Sequence, residues 1–298
     1  MKKYGLGFAL VSSWPACVQK GAEPKHNDQE VEDSKKDQKD ASKKDLPLVT
    51  EDTVKLFNDP KIFLRKEKNN DGKYELRAPV ETVELKGVAE KNDGSGGKLE
   101  GVNSDRAKVT ISITDDLNTI TVETYGFSDT KVASKVFRKQ GSLTEETEET
   151  YKTGKLSTKK ITRTNGTTRE YSDMTNDENA TKAVETLKNG IMLEGNLVGG
   201  KTSVEIKEGT VTLKKEIEKA GTVKLFLDDT SSGSTKKTAV WSDTSNTLTV
   251  SADSKKIKDF VFLTDGTITV QNYDKAGTKL AGTATEIKDL AALKTALK

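Results

Sequence analysis

Few side chains in this sequence carry the chemistry of catalysis, and those that do stand alone. The 298 residues include one cysteine, Cys17, and one histidine, His26. A single thiol excludes an intrachain disulfide, so the chain is no disulfide-stapled scaffold. A single imidazole excludes a His-ligated metal cluster, and a Ser-His-Asp triad would have to recruit His26 from a polar run. Gly94-Ser95-Gly96-Gly97-Lys98 lacks the hydroxyl residue after its lysine and the spacing of a phosphate loop, and reads as a hairpin loop. Glu145, Glu146, Glu148 and Glu149 lack the alternating oxygen ligands and the glycine of a calcium loop. Beside Lys152, Lys155, Lys159 and Lys160 they read as a solvated sheet face. No acid, base and nucleophile converge, so neither an enzyme nor a bound cofactor or metal is expected.

The surroundings of Cys17 give the thiol another use. Lys2 and Lys3 precede an apolar run, Tyr4 to Val11, too short to span a bilayer and followed at once by polar sequence. That is the pattern of a secretory signal. Ala16 stands directly before Cys17, and in bacterial lipoproteins the signal is cut just before a cysteine whose sulfur receives lipid. Each buried methylene adds about 0.8 kcal/mol, and stable anchoring takes more than one chain. Trp14 and Pro15 depart from the Leu and small residue usual at those positions. The alternative is an ordinary signal cut at an alanine, with Cys17 incidental. On the first reading residues 1–16 are a signal peptide and Cys17 is lipidated.

The elements that would carry such an anchor's cargo follow from composition. Apolar residues are 32% of the chain and aromatic residues 5%, against roughly 45–50% apolar in ordinary globular domains. Any core must therefore be small or divided. Charged residues are also 32%, yet the net charge is only +2. Nucleic-acid binding, which concentrates positive charge, is not expected. Residues 18–46 hold fifteen charged side chains in 29 positions and too little apolar surface to offset ordering entropy. With Cys17 they read as a tether, residues 17–46, with a reach of about 30 Å.

Period-two alternation then dominates. Val109, Ile111 and Ile113 share a face, a turn follows at Asp115–Asn118, and Ile120 and Val122 return. Val204 and Ile206 lead through Glu208-Gly209 to Val211 and Leu213. Val223, Leu225 and Leu227 align, as do Leu248 and Val250, and Asp265-Gly266 between two apolar runs is a hairpin signal. Strands at this spacing without long helices predict antiparallel meanders. Residues 180–190 read as a short helix or a strand. At the C-terminus Ile287, Leu290, Leu293 and Leu297 recur at helical spacing, with Thr283 and Glu286 as a capping box.

Residues 141–175 hold only six apolar side chains. They fit either a disordered linker or a sheet wet on both faces, held by backbone ladders and cross-strand pairs. Trp241 falls on a strand, where it either packs in the core or lines a ligand cavity. Lys236, Lys237, Lys255, Lys256 and Lys258 read either as an adhesive basic patch or as edge protection.

Long blocks narrow these choices: KEKNNDGKYELRA (66–78), VELKGVAEKNDGSGGKLEG (83–101), KKITRTNGTTREYS (159–172), VEIKEGTVTLKKEIEKAGTV (204–223) and SKKIKDFVFLTDGTITVQNYDKAGTKLAG (254–282). From about residue 47 onward the chain resembles the outer surface protein A/B lipoproteins of Borrelia, and DLPLVTEDTVKLFN (45–58) looks more like the B branch. The resemblance implies a mainly β fold: an elongated antiparallel meander, a single-layer central sheet between two globular portions, and one C-terminal α-helix. It favours the exposed sheet for 141–175, flanked by portions at 47–140 and 176–298. It further implies a monomer, lipid-anchored in the cell outer membrane and surface exposed. The role implied is an adhesin and surface antigen binding vector or host proteins, the alternative being a coat protein that shields the membrane.

Overall fold

The structure is a computed structural model describing residues 51–298, except 58, 59, 81, 82, 141, 142, 234, 235, 281 and 283. Every described residue lies in one compact unit, Lys43–Lys298. The signal segment, Cys17, His26 and the tether lie outside the described residues.

Sixteen strands form one sheet, each paired antiparallel to the next. They are β1 (Thr53–Phe57), β2 (Ile62–Lys68), β3 (Tyr74–Val80), β4 (Val83–Val88), β5 (Gly97–Val102), β6 (Lys108–Ile113), β7 (Thr119–Tyr125) and β8 (Lys131–Gln140), then β9 (Leu143–Lys152), β10 (Lys155–Arg163), β11 (Thr168–Asn176), β12 (Asn179–Thr186), β13 (Met192–Val198), β14 (Lys201–Glu208), β15 (Val211–Ile217) and β16 (Val223–Asp229). A second sheet orders β17 (Lys237–Ser242), β18 (Thr247–Ala252), β19 (Lys255–Phe262), β20 (Ile268–Asn272) and β21 (Thr285–Glu286), and α1 (Leu290–Leu297) follows. The architecture is mainly β, with one C-terminal helix among the described residues.

The hairpins sit where alternation and turn chemistry place them. Val109, Ile111, Ile113 and Ile120 are buried, and Thr114 N–H donates to the Thr119 carbonyl (3.0 Å) across the Asp115–Asn118 turn. In the Asp265-Gly266 turn the Asp265 carboxylate accepts from Thr267 N–H (3.0 Å) and Gly266 takes φ +84°, a conformation glycine adopts without cost. Close packing of the ladder makes glycine obligatory at Gly195 and Gly87, where a Cβ would stand 1.8 Å from the Ser203 and 1.9 Å from the Lys98 carbonyl oxygen of the neighbouring strand.

Burial is divided between two clusters. One gathers Ile62, Leu76, Leu85, Leu99, Ile111 and Phe137 with their neighbours. The other runs from Ile161 and Tyr171 through Val204 and Leu213 to Leu248, Phe260 and Leu293. Neither takes a residue between Phe137 and Ile161. Strands run through that stretch nonetheless, so the polar middle is sheet rather than linker. Its faces carry ion pairs: Lys135 Nζ reaches Glu148 Oε1 (2.8 Å), Lys160 reaches Glu170 (2.9 Å) and Lys159 reaches Glu149 (3.2 Å). Such cross-strand pairs contribute roughly 0.2–1 kcal/mol each.

One open sequence reading resolves to a strand, and another changes. Residues 180–190 lie in strand β12 and the turn after it, because the phase that matters there is two: Ala183, Glu185 and Leu187 all face inward. The helix is shorter than its pattern. Ile287 is buried ahead of it, Glu286 belongs to β21 and Thr283 lies outside the described residues. The cap is Asp289, whose carboxylate accepts from Ala292 N–H (2.7 Å), an N-cap geometry worth about 1 kcal/mol.

Candidate functional site

The inward phase of β11 and β12 carries two charges into the larger core. Arg169 and Glu185 are register partners across these strands, and their side chains are 9% and 2% exposed. From β15, Lys215 Nζ donates to Glu185 Oε1 at 2.7 Å; Arg169 Nη2 stands 4.0 Å from the same oxygen. Burial alone would push the Glu185 carboxyl up, but Lys215 and Arg169 outweigh it and hold it below its ordinary value. Two atoms of this cluster, Glu185 Oε2 and Arg169 Nε, are buried without a hydrogen-bond partner.

These side chains line a cleft of about 400 Å³ between the large sheet and the β19–β20 hairpin. Leu187, Ile217 and Phe262 supply apolar wall, and Arg163 stands at the polar side, paired with Glu145 (3.1 Å). An apolar cleft with a few convergent polar groups is the usual form of a binding site. Arg169, Lys215 and Glu185 bring charges of both signs to its wall. Among its described lining residues no nucleophile stands beside a base.

Trp241 borders a different cavity, of about 460 Å³, packed edge-on against Phe262 with ring centroids 6.0 Å apart. The lysines grouped as a basic patch are largely engaged inside the molecule. Lys237 Nζ donates to the Lys298 carbonyl (2.6 Å), Lys258 Nζ to the Ala296 carbonyl, and Lys256 pairs with Asp259 (2.7 Å). Lys237 and Lys258 secure the helix C-terminus, where cations are favoured. The glutamates of 145–149 pair with Lys135, Lys159, Arg138 and Arg163, as a solvated sheet face would. Sequence reasoning missed Glu185. Its signal was a carboxylate in phase with Ala183 and Leu187 once residues 180–190 are taken as a strand.

The fold is thus an open antiparallel meander with a charged cleft beside its larger core. The family model described as Borrelia lipoprotein matches residues 33–298, and the chain belongs to that family. It is 64% identical over 301 residues to an Outer surface protein B of Borreliella burgdorferi, covering the whole of both chains. To a second Outer surface protein B of that organism it is 61% identical over 297 residues, 98% of this chain and 99% of the other. It is thus a homologue of that protein: a non-enzymatic, lipid-anchored lipoprotein of the outer surface.

Proposed function

We propose that Cys17 carries the lipid once residues 1–16 are removed, that residues 18–46 are the tether, and that the body beyond it is an adhesin and surface antigen binding vector or host proteins. The observation that carries the adhesin reading is the cleft of Arg169, Glu185 and Lys215. It is a built polar site inside an apolar core, with an acceptor and a donor still unpaired, and leaving such groups unpaired costs about 1–3 kcal/mol each. A coat that only shields the membrane needs no such site.

Saturable, competable attachment of the full chain to vector gut or host-cell surfaces is the expected result. Normal attachment of cells lacking the protein, together with a leaky envelope, would assign the coat role instead. For the anchor, wild type is expected in the detergent phase on phase partitioning and Cys17→Ser in the aqueous phase. Equal partitioning of the two would overturn the assignment of Cys17.

A further inference from the structure

Hairpin turns alternate between the two ends of the large sheet, and those of β5–β6, β7–β8 and β9–β10 fall side by side at one end. Two strand spacings, about 10 Å, separate each from the next. The middle tip presents Phe127, 96% exposed, the most exposed large apolar side chain among the described residues. Gly126 N–H donates to the Thr130 carbonyl (2.9 Å) and closes the loop behind it. Val102 and Val132 nearby are exposed as well. All three turns hold non-glycine residues in the left-handed region: Arg106 (φ 62°), Ser128 and Asp129 (φ 67° and 54°), and Thr153 (φ 51°). Such backbone is costly away from glycine, and strain of this kind is retained at working surfaces.

The charge around Phe127 is basic. Val102, Lys108, Tyr125 and Lys131 follow one another in register across β5 to β8. Lys152 faces Lys155 directly across the β9–β10 turn, where like charges repel. That turn touches the Phe127 loop: a Cβ on Gly154 would stand 3.3 Å from Thr130 Cγ2. Of the acids at this end, Glu123 is held by Lys131 (2.5 Å) and Asp129 lies 3.9 Å from Lys108, which leaves Asp105. Arg106, Lys152 and Lys155 make no ion pair among the described residues.

We propose that these three tips rest on the anionic headgroups of the membrane that anchors the chain, with Phe127 entering the boundary between headgroups and acyl chains. An aromatic ring among unpaired cations has the composition that binds such a surface: the ring gains by leaving water and the cations by meeting lipid phosphate. One ring and a few cations hold a bilayer weakly by themselves. Anchorage supplies what they lack, because a tether keeps the tips at a local membrane concentration that a free chain does not reach. β7 has seven residues, about 23 Å, so the reach of about 30 Å proposed for the tether brings its tip to the surface. The contact is with the chain's own membrane; it rests on the anchor and not on the adhesin reading.

The test uses residues 17–298 coupled through Cys17, the sole thiol, to a maleimide phospholipid in vesicles of phosphatidylglycerol and phosphatidylcholine. Phe127→Trp keeps an aromatic tip. Its emission is expected to move to the blue and to be quenched by brominated acyl chains, over the signal of Trp241 read in the wild type. The ratio of inserted to free tips is expected to fall about fivefold for each of Lys152→Gln and Lys155→Gln, and to fall in added salt. If those variants do not fold, vesicles of phosphatidylcholine alone, where insertion is expected to be lost, carry the test. Emission that ignores brominated lipid, equal insertion in phosphatidylcholine alone, or equal insertion by an uncoupled Cys17→Ser chain added to the same vesicles would each overturn the proposal. A tip that stays wet on vesicles and is shielded on target cells would assign Phe127 to a protein partner instead. Aqueous partitioning of the native chain would overturn the anchor reading; a coupled chain whose tip does not insert would overturn this contact alone.

Discussion

Glu148 and Glu185 are both strand carboxylates held by a lysine of another strand, at 2.8 and 2.7 Å. Glu148 lies in the central strands with its side chain 47% exposed; Glu185 lies in the larger core at 2%. The bonds are alike and their consequences are not. Water screens the first pair and repairs its loss, so exposed pairs of this kind contribute about 0–1 kcal/mol. Glu185 is almost wholly withdrawn from solvent, and breaking a buried pair leaves an uncompensated charge. The same ladder thus passes from a region held by its backbone to one held by burial, and the unpaired polar atoms suited to recognition occur in the second.

The largest effect that breaks this contrast is Glu185→Ala, expected to destabilise by about 3–5 kcal/mol in urea denaturation because Lys215 and Arg169 stay buried without their anion. The wild-type pair also gives a pH signature. Glu185 is depressed below its ordinary 4.5 in the folded state, so its contribution is complete above that value and is lost as pH falls through the folded one. Glu185→Gln is expected to flatten the acid limb of the stability profile. A limb of unchanged slope would assign it to other carboxylates, such as Asp229, which the N–H groups of Lys237 and Ser231 hold low against the upward push of burial.

Thr162→Pro comes next. Thr164 N–H donates to the Thr144 carbonyl (3.0 Å), and the same phase sends Thr162 N–H to its register partner Glu146. Losing that ladder donor in a two-sided strand is expected to cost about 1–2 kcal/mol, read as a lower urea midpoint for the whole body. A silent substitution would mean the central ladder carries no cooperativity. Smallest is Glu148→Ala, expected at about 1 kcal/mol or less and shrinking in added salt. A cost near that of Glu185→Ala would erase the distinction between the regions.

Much of this contrast was legible before the fold was known. Period two and the Asp-Gly and Asn-Gly turns mark the hairpins, because alternation and turn chemistry are local. The central strands were ambiguous by composition, since a ladder wet on both faces leaves no apolar signature; resemblance, not pattern, tipped the balance. The C-terminal stripe overstated the helix because Ile287 keeps helical spacing while buried from a non-helical segment. The cleft was hidden for a different reason. It joins β11, β12, β15 and the β19–β20 turn, and pairings across a hundred residues are written in topology, not in local spacing. Trp241 was recognised as a cavity candidate, but the β16 residues that share its cavity are likewise set by topology.

Amide hydrogen exchange through β9 and β10 tests the central claim most directly, when wild type is compared with Leu248→Ala. Leu248 is fully buried in the larger core, so its truncation is expected to cost about 2–5 kcal/mol. If the central ladder takes its cooperativity from the cores, residues 145–163 are protected in wild type, less than β12 to β15, and lose protection in Leu248→Ala although that side chain is remote from them. Random-coil exchange through 145–163, or protection there that Leu248→Ala leaves untouched, would contradict the account.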